Sequence, residues 1–170
     1  MKREVFINVL KQKNYLYEIQ GDKIIVTHDG GVYVDLGDLK TIPPGVTFRN
    51  GGGVGLRSLK TLPPGVEFRN GGGVGLGSLE TLPPGVEFMN GGNVYLRALE
   101  TLPPDVKFRN GGNVNLSALK ALPPGVEFRN GGSVYFWGIL GGWLEEWEGN
   151  IEGVDGKRLL NLMTNKDLFL

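Results

Sequence analysis

The chain has 170 residues, and its 18 lysines and arginines are balanced by 18 aspartates and glutamates. This length suits one domain, and the balanced charge excludes a global attraction to nucleic acid or to an anionic membrane surface. The sequence contains no cysteine, which excludes disulfides, thiolate metal sites and cysteine nucleophiles.

The first residues carry charges on both sides of a short apolar run, without the apolar core and cleavage site of a secretion signal. No apolar run approaches the roughly 20 residues that a membrane-spanning helix needs. We therefore expect a cytoplasmic protein that makes no contact with a membrane.

The N-terminal 29 residues predict a small cap made of a helix and a hairpin. Val5, Phe6, Val9 and Leu10 recur at helical spacing over residues 3–13. The stretches YLYEIQ and KIIVTH then alternate apolar with polar residues on either side of Gly21-Asp22, which is typical of a β-hairpin.

Residues 30–136 repeat a pattern of 20 residues, V-x-L-x-x-L-x-x-L-P-P-x-V-x-F-x-N-G-G. The first valine of the pattern stands at Val34, Val54, Val74, Val94 and Val114, and a sixth, broken copy starts at Val134. All ten prolines of the chain lie in five Pro-Pro pairs, one in each full copy. The period is therefore structural.

Each copy predicts one coil of a β-solenoid. Two segments alternate apolar with polar residues, as in Val54-Gly55-Leu56 and Val66 to Arg69, which is the strand period. Pro-Pro predicts an extended corner, and Asn-Gly-Gly predicts a second corner at which we expect positive φ. We expect the Asn side chains to point inward and to bond one another and the turn backbone. The predicted fold is all-β, with five to six coils stacked in parallel at roughly 4.8 Å.

The repeat resembles tandem LPxGVxFxNGGxVxLxxL units found in uncharacterised proteins of bacteria and their phages, which are often described as leucine-rich-repeat-like. The resemblance covers residues 30–136, and it implies a solenoid without an agreed activity. Because the Asn spacing differs from that of a true leucine-rich repeat, a β-solenoid is preferred to a horseshoe.

The final 34 residues predict a C-terminal cap over 137–170. The repeat breaks at Trp137, and Trp143, Leu144 and Trp147 form an apolar cluster. Asp155 is a candidate N-cap of a last helix. Caps of this kind protect the open ends of a solenoid from aggregation.

No pattern in the sequence indicates catalysis, a cofactor or a metal. The glycine-rich corners match neither a phosphate-binding loop nor a calcium-binding repeat, and they recur in every coil. His28 is the one histidine, and no oriented catalytic partner can be assigned to it. The carboxylates of the coils are single and scattered. We therefore predict a non-enzymatic protein that requires no cofactor or metal ion.

One outward position of the repeat is basic, and we call Arg49, Arg69, Arg109 and Arg129 the Arg column. A row of guanidinium groups could bind a polyanion, so anion binding is an alternative function. However, Met89 interrupts the column, and Glu67, Glu87 and Glu127 stand two residues earlier on the same face. Because these glutamates would neutralise the column, we do not expect nucleic acid to be the partner.

The outward residues beside the Val-x-Leu segment vary most between coils, and we call their surface the variable face. Its three columns are Tyr33, Gly53, Gly73, Asn93, Asn113 and Ser133; Asp35, Gly55, Gly75, Tyr95, Asn115 and Tyr135; and Gly37, Arg57, Gly77, Arg97, Ser117 and Trp137. Aromatic and Arg residues therefore flank a floor of glycines, a composition typical of protein interfaces.

The variable face is predicted to bind another protein, including a second copy of the chain. The residues expected to carry this binding are Tyr33, Arg57, Tyr95, Arg97, Tyr135 and Trp137. Neutral drift of a solvent-exposed face explains the same variation, and carbohydrate binding through Tyr95, Tyr135 and Trp137 is a further alternative.

Overall fold

The computed structural model describes residues 1–136, so the predicted C-terminal cap and Trp137 lie outside the described residues. The chain begins with helix α1 (Arg3–Gln12), followed by the antiparallel strands β1 (Tyr17–Gln20) and β2 (Lys23–Val26). This confirms the predicted helix and hairpin. Phe6 and Leu10 of α1 are buried in the same cluster as the interior of the coils, so the helix packs on the core.

Short strands then alternate between two parallel sheets. They are β3 (Val34–Asp35), β4 (Val46–Phe48), β5 (Val54–Gly55), β6 (Glu67–Phe68), β7 (Val74–Gly75), β8 (Glu87–Phe88), β9 (Val94–Tyr95), β10 (Lys107–Phe108), β11 (Val114–Asn115), β12 (Glu127–Phe128) and β13 (Val134–Tyr135). One sheet has the order β1-β2-β4-β6-β8-β10-β12, and the other has the order β3-β5-β7-β9-β11-β13. The hairpin, whose turn is Gly21-Asp22, joins the first sheet through the parallel pairing of β2 with β4.

Neighbouring coils pair in a register of 20 residues, which confirms the β-solenoid of about six coils. Val54 pairs with Val74, and Phe68 pairs with Phe88. The five Phe rings of the repeat stack in the interior, with centroids 5.1–5.5 Å apart and planes within 8° of parallel. The repeated valines and phenylalanines are buried, so each coil closes around one continuous core.

The two corners use glycine for different reasons, and the prediction of positive φ at Asn-Gly-Gly was wrong. Positive φ occurs instead after Pro-Pro, for example at Gly65 (72°) and at Asp105 (60°), which replaces glycine in its coil. At Asn-Gly-Gly, a Cβ added to Gly71 or Gly91 would clash with the carbonyl oxygen of the glycine one coil earlier. These glycines therefore allow two backbones to approach closely.

The inward Asn residues bond the backbone, as predicted, and they join successive coils. The prediction that they also bond one another was wrong, because each Nδ2 donates to backbone carbonyl oxygens and the Oδ1 atoms have no partner among residues 1–136. Asn90 Nδ2 donates to the carbonyl oxygens of Gly72 at 3.1 Å, Gly92 at 2.9 Å and Asn93 at 3.4 Å. Gly72 belongs to the preceding coil, and the equivalent bond recurs at Asn50, Asn70, Asn110 and Asn130. The same side chain therefore holds its own corner and the corner below it.

The Asn column gives a pH-dependent test of the fold. In Asn90→Asp, a carboxylate replaces the amide that faces three carbonyl oxygens, so we expect the free energy of unfolding at pH 7 to fall by about 2–4 kcal/mol. Repulsion and burial raise the pKa of the new carboxyl in the folded state above its unfolded value. The lost stability should therefore return as the pH falls towards about 4, because the neutral acid binds its proton more tightly in the folded state.

The matched control is Asn115→Asp, measured by urea unfolding at the same pH values. Asn115 Oδ1 accepts a hydrogen bond from the backbone N–H of Ser117, and Asp35 makes the corresponding contact with Gly37 in the first coil. The control should therefore lose little stability at pH 7. Equal losses in the two variants would contradict the assigned role of the Asn90 amide.

Candidate protein-binding surface

The variable face is the outer surface of the β3-β5-β7-β9-β11-β13 sheet. We number its coils 1 to 5 as residues 33–52, 53–72, 73–92, 93–112 and 113–132, and coil 6 begins at residue 133. Because the strand period is two, the buried Val34 and Leu36 point inward while Tyr33 and Asp35 point outward. The parallel register places equivalent outward residues of successive coils side by side.

Coils 1 and 2 form a compact cluster around Tyr33. The Tyr33 ring lies over coil 2, because a Cβ added to Gly53 would come within 2.8 Å of it and one added to Gly55 would clash with its hydroxyl. Arg57 Nη2 lies 3.0 Å from Asp35 Oδ2. The Gly37 N–H and the Arg57 guanidinium lower the pKa of the Asp35 carboxyl, while burial raises the pKa of Tyr33.

Coil 3 leaves a gap beside that cluster, and we call Gly73, Gly75 and Gly77 the trough. A Cβ added to Gly77 would meet no heavy atom within 4 Å. One added to Gly75 would make only ordinary contacts, among them the Tyr33 hydroxyl at 4.0 Å. The trough is therefore open above Gly75 and Gly77, whereas a Cβ added to Gly73 would come within 3.1 Å of the Asn93 carbonyl oxygen. The strip is about 13 Å long between its first and last Cα atoms.

Coil 4 raises a ridge beside the trough, made of Asn93, Tyr95 and Arg97. Asn93 Nδ2 donates to the Tyr95 hydroxyl at 2.9 Å, and the Arg97 guanidinium lies 5.3 Å from the centre of the Tyr95 ring. The Asn93 Oδ1 also accepts the backbone N–H of Asn113 at 2.7 Å. The Tyr95 side chain is therefore held at its hydroxyl by Asn93 and is contacted on its ring by Arg97 before any partner binds.

The structure divides the predicted site residues into two groups. Tyr33 and Arg57 lie in the cluster of coils 1 and 2, and Tyr95 and Arg97 lie on the ridge. Tyr135 is half-buried at coil 6. Sequence reasoning missed the part played by Asn93 and Asn113, whose signal was their recurrence at the same position of successive coils where earlier coils have glycine.

The Arg column lies on the other sheet, where glutamates pair with most of it. Arg69 Nε lies 3.0 Å from Glu67 Oε2, and Arg109 Nε lies 3.1 Å from Glu87 Oε1. Arg129 Nε lies 3.6 Å from Glu127 Oε2. These pairs confirm the predicted neighbouring charges, and they reduce the net positive potential that the column presents.

The other candidate positions have structural contacts. His28 Nδ1 accepts the backbone N–H of Leu16 at 3.2 Å, and its ring meets the edge of Tyr15. Among residues 1–136, no three acidic or histidine side chains come together in a group that could hold a metal ion. The helix in this part of the chain is too short and too polar to cross a membrane.

Comparison with models of known protein families finds no match to this chain, and comparisons with curated proteins and with solved structures find none either.

The two glycines of the second column provide a direct test of this surface. In Gly55→Tyr, the new side chain would occupy the same space as the Tyr33 ring. We therefore expect the free energy of unfolding to fall by about 1–3 kcal/mol. Gly75→Tyr enters open space at a position that is Tyr in coils 4 and 6, so its free energy of unfolding should stay level or rise by up to about 1 kcal/mol. Thermal and urea unfolding measure both, and a loss of equal size in the two variants would contradict the described trough.

Proposed function

We propose that this protein is a non-enzymatic scaffold that binds another protein through the variable face. The single observation that carries the proposal is the trough of coil 3 beside the preorganised Tyr95 and Arg97 of coil 4. Tyr and Arg supply much of the energy of protein interfaces when a partner encloses them. A strip of backbone without side chains lets that partner approach closely.

The contrast between the two outer surfaces supports the choice of face. On the Arg column side, Arg69 and Arg109 already have carboxylate partners, so binding there would first break ion pairs. On the variable face, Arg97 rests on Tyr95 and both keep exposed surface for a partner. Within residues 1–136, burial of this unit breaks no salt bridge.

The origin of the repeat, the cellular location and two alternative functions also belong to the proposal. The 20-residue coils support the resemblance to the bacterial and phage repeat proteins, and we propose that the protein works in the cytoplasm. Polyanion binding along the Arg column and carbohydrate binding at Tyr95 and Tyr135 are the alternative functions. A steep loss of affinity with added salt would indicate the polyanion alternative.

Capture experiments with variants of one coil test the proposed function. Tyr95→Ala and Arg97→Ala should each reduce the amount of bound partner about tenfold, measured by quantitative mass spectrometry after capture on the tagged protein. Arg109→Ala is the matched control, because it removes the same residue type from the same coil on the opposite surface. Equal capture by all variants, with circular dichroism unchanged, would show that the variable face is not the binding surface.

A further inference from the structure

We propose that the partner of the variable face is a second copy of this chain, docked face to face about a two-fold axis. The axis runs parallel to the strands between coils 3 and 4. This inference rests on the proposed function, because it uses the same surface and names the partner. The match between the two copies depends on which outward positions carry large side chains and which carry glycine.

The trough and the ridge are neighbours in the stack, which is the arrangement that a two-fold axis requires. Rotation about an axis between coils 3 and 4 places coil 3 of one copy opposite coil 4 of the other, twice in the same interface. Tyr95 of each copy then lies over Gly75 of its partner copy. The open space above Gly75 and the Tyr95 side chain therefore lie in the same column.

The same register assigns a partner position to every described outward residue except Gly37. The same rotation pairs coil 1 with coil 6 and coil 2 with coil 5, and it keeps each column opposite itself. The resulting pairs are Tyr33 with Ser133, Gly53 with Asn113, Gly73 with Asn93, Asp35 with Tyr135, Gly55 with Asn115, Gly75 with Tyr95, Arg57 with Ser117, and Gly77 with Arg97. Between coils 3 and 4, each glycine of the trough faces a larger residue of the ridge. Above Gly53 and Gly55, the Tyr33 ring fills the space instead.

The observed side-chain positions fit this register. Arg57 turns towards Asp35 and Gly37 in coil 1, so it points away from coil 3, over which the Arg97 of the second copy would lie. The Tyr33 ring spreads flat over coil 2 and stays half exposed. It would meet Asn113 and Asn115 of the second copy, whose amides already bond their own backbone and stay low on the surface.

The small area of the face indicates a weak dimer. Six strands at about 4.8 Å and five residues at about 3.3 Å give roughly 500 Å² for each copy, or about 1,000 Å² in total. This is at the lower end of specific interfaces, so we expect dissociation constants of about 1–100 μM rather than an obligate dimer.

Sedimentation of the purified full chain over a concentration series up to about 1 mM tests the inference. The wild-type chain should shift from monomer to dimer, and Tyr95→Gly and Gly75→Tyr should each weaken the dimer at least about tenfold. Tyr95→Gly removes the ring, while Gly75→Tyr fills the space that receives it. A wild-type chain that stays monomeric at the highest concentration would overturn the inference.

Mixing the two single variants provides the decisive measurement. In a mixed dimer, the Gly75→Tyr copy has tyrosine at both positions and the Tyr95→Gly copy has glycine at both. Each tyrosine therefore faces a glycine, and the association should return to near the wild-type level. The double variant Gly75→Tyr with Tyr95→Gly should also dimerise with itself. A dimer that neither single variant weakens, or that mixing does not restore, would overturn the two-fold register.

The inference and the proposed function fail separately. A purified chain that remains monomeric, together with a captured protein lost in Tyr95→Ala, would leave the variable face as a binding surface for a different protein and overturn the second copy as partner. Circular dichroism and urea unfolding confirm that each variant is folded. If Gly75→Tyr does not fold, Gly75→Ser is used in its place. Its smaller side chain fills less of the trough, so it should weaken the dimer less than Gly75→Tyr.

Discussion

Close contact between the backbones of successive Asn-Gly-Gly corners is the constraint on which the rest of the solenoid depends. The N–H of Gly91 donates to the carbonyl of Asn70 at 2.8 Å, and an added Cβ at Gly91 would clash with the Gly71 carbonyl oxygen. Because this contact admits no side chain, it fixes the spacing of the coils at the distance that strand pairing requires. The stacked Phe rings and the Asn amides then fit only in a register of 20 residues.

This constraint fixes the interior and leaves the outer columns free to differ. Phe68 and Phe88 must be alike because each ring stacks on the next, whereas Gly75 and Tyr95 occupy equivalent outward positions with different side chains. Variation on the variable face therefore costs the fold little. Any selection acting on Tyr95 or Arg97 would concern what the surface contacts, since neither side chain contributes to the core.

The sequence was enough to predict the coils, the direction of their side chains and the helix and hairpin before them, because these follow from periods of 20, 2 and 3.6 residues. The sequence led us to expect positive φ at Asn-Gly-Gly, whereas it occurs after Pro-Pro. The reason is that Gly-Gly at a corner is compatible both with a left-handed turn and with close backbone approach. It identified Tyr33 and Tyr95 as outward residues. It could not show that the Tyr33 ring covers coil 2 while coil 3 stays open, because that difference depends on one side-chain rotamer.

A solenoid of identical coils would present a uniform face, on which a second copy could bind in many registers of nearly equal energy. Departures from identity remove that degeneracy, because each raised residue penalises every register that lacks a matching gap. Coil 3 is the coil whose three outward positions are all glycine, and coil 4 next to it has the ring supported by Asn93 and Arg97. Placing a strip of glycines beside a strip of large side chains gives one register an advantage at two symmetric points. A single pair of unlike coils is therefore enough to convert a repetitive surface into a specific one.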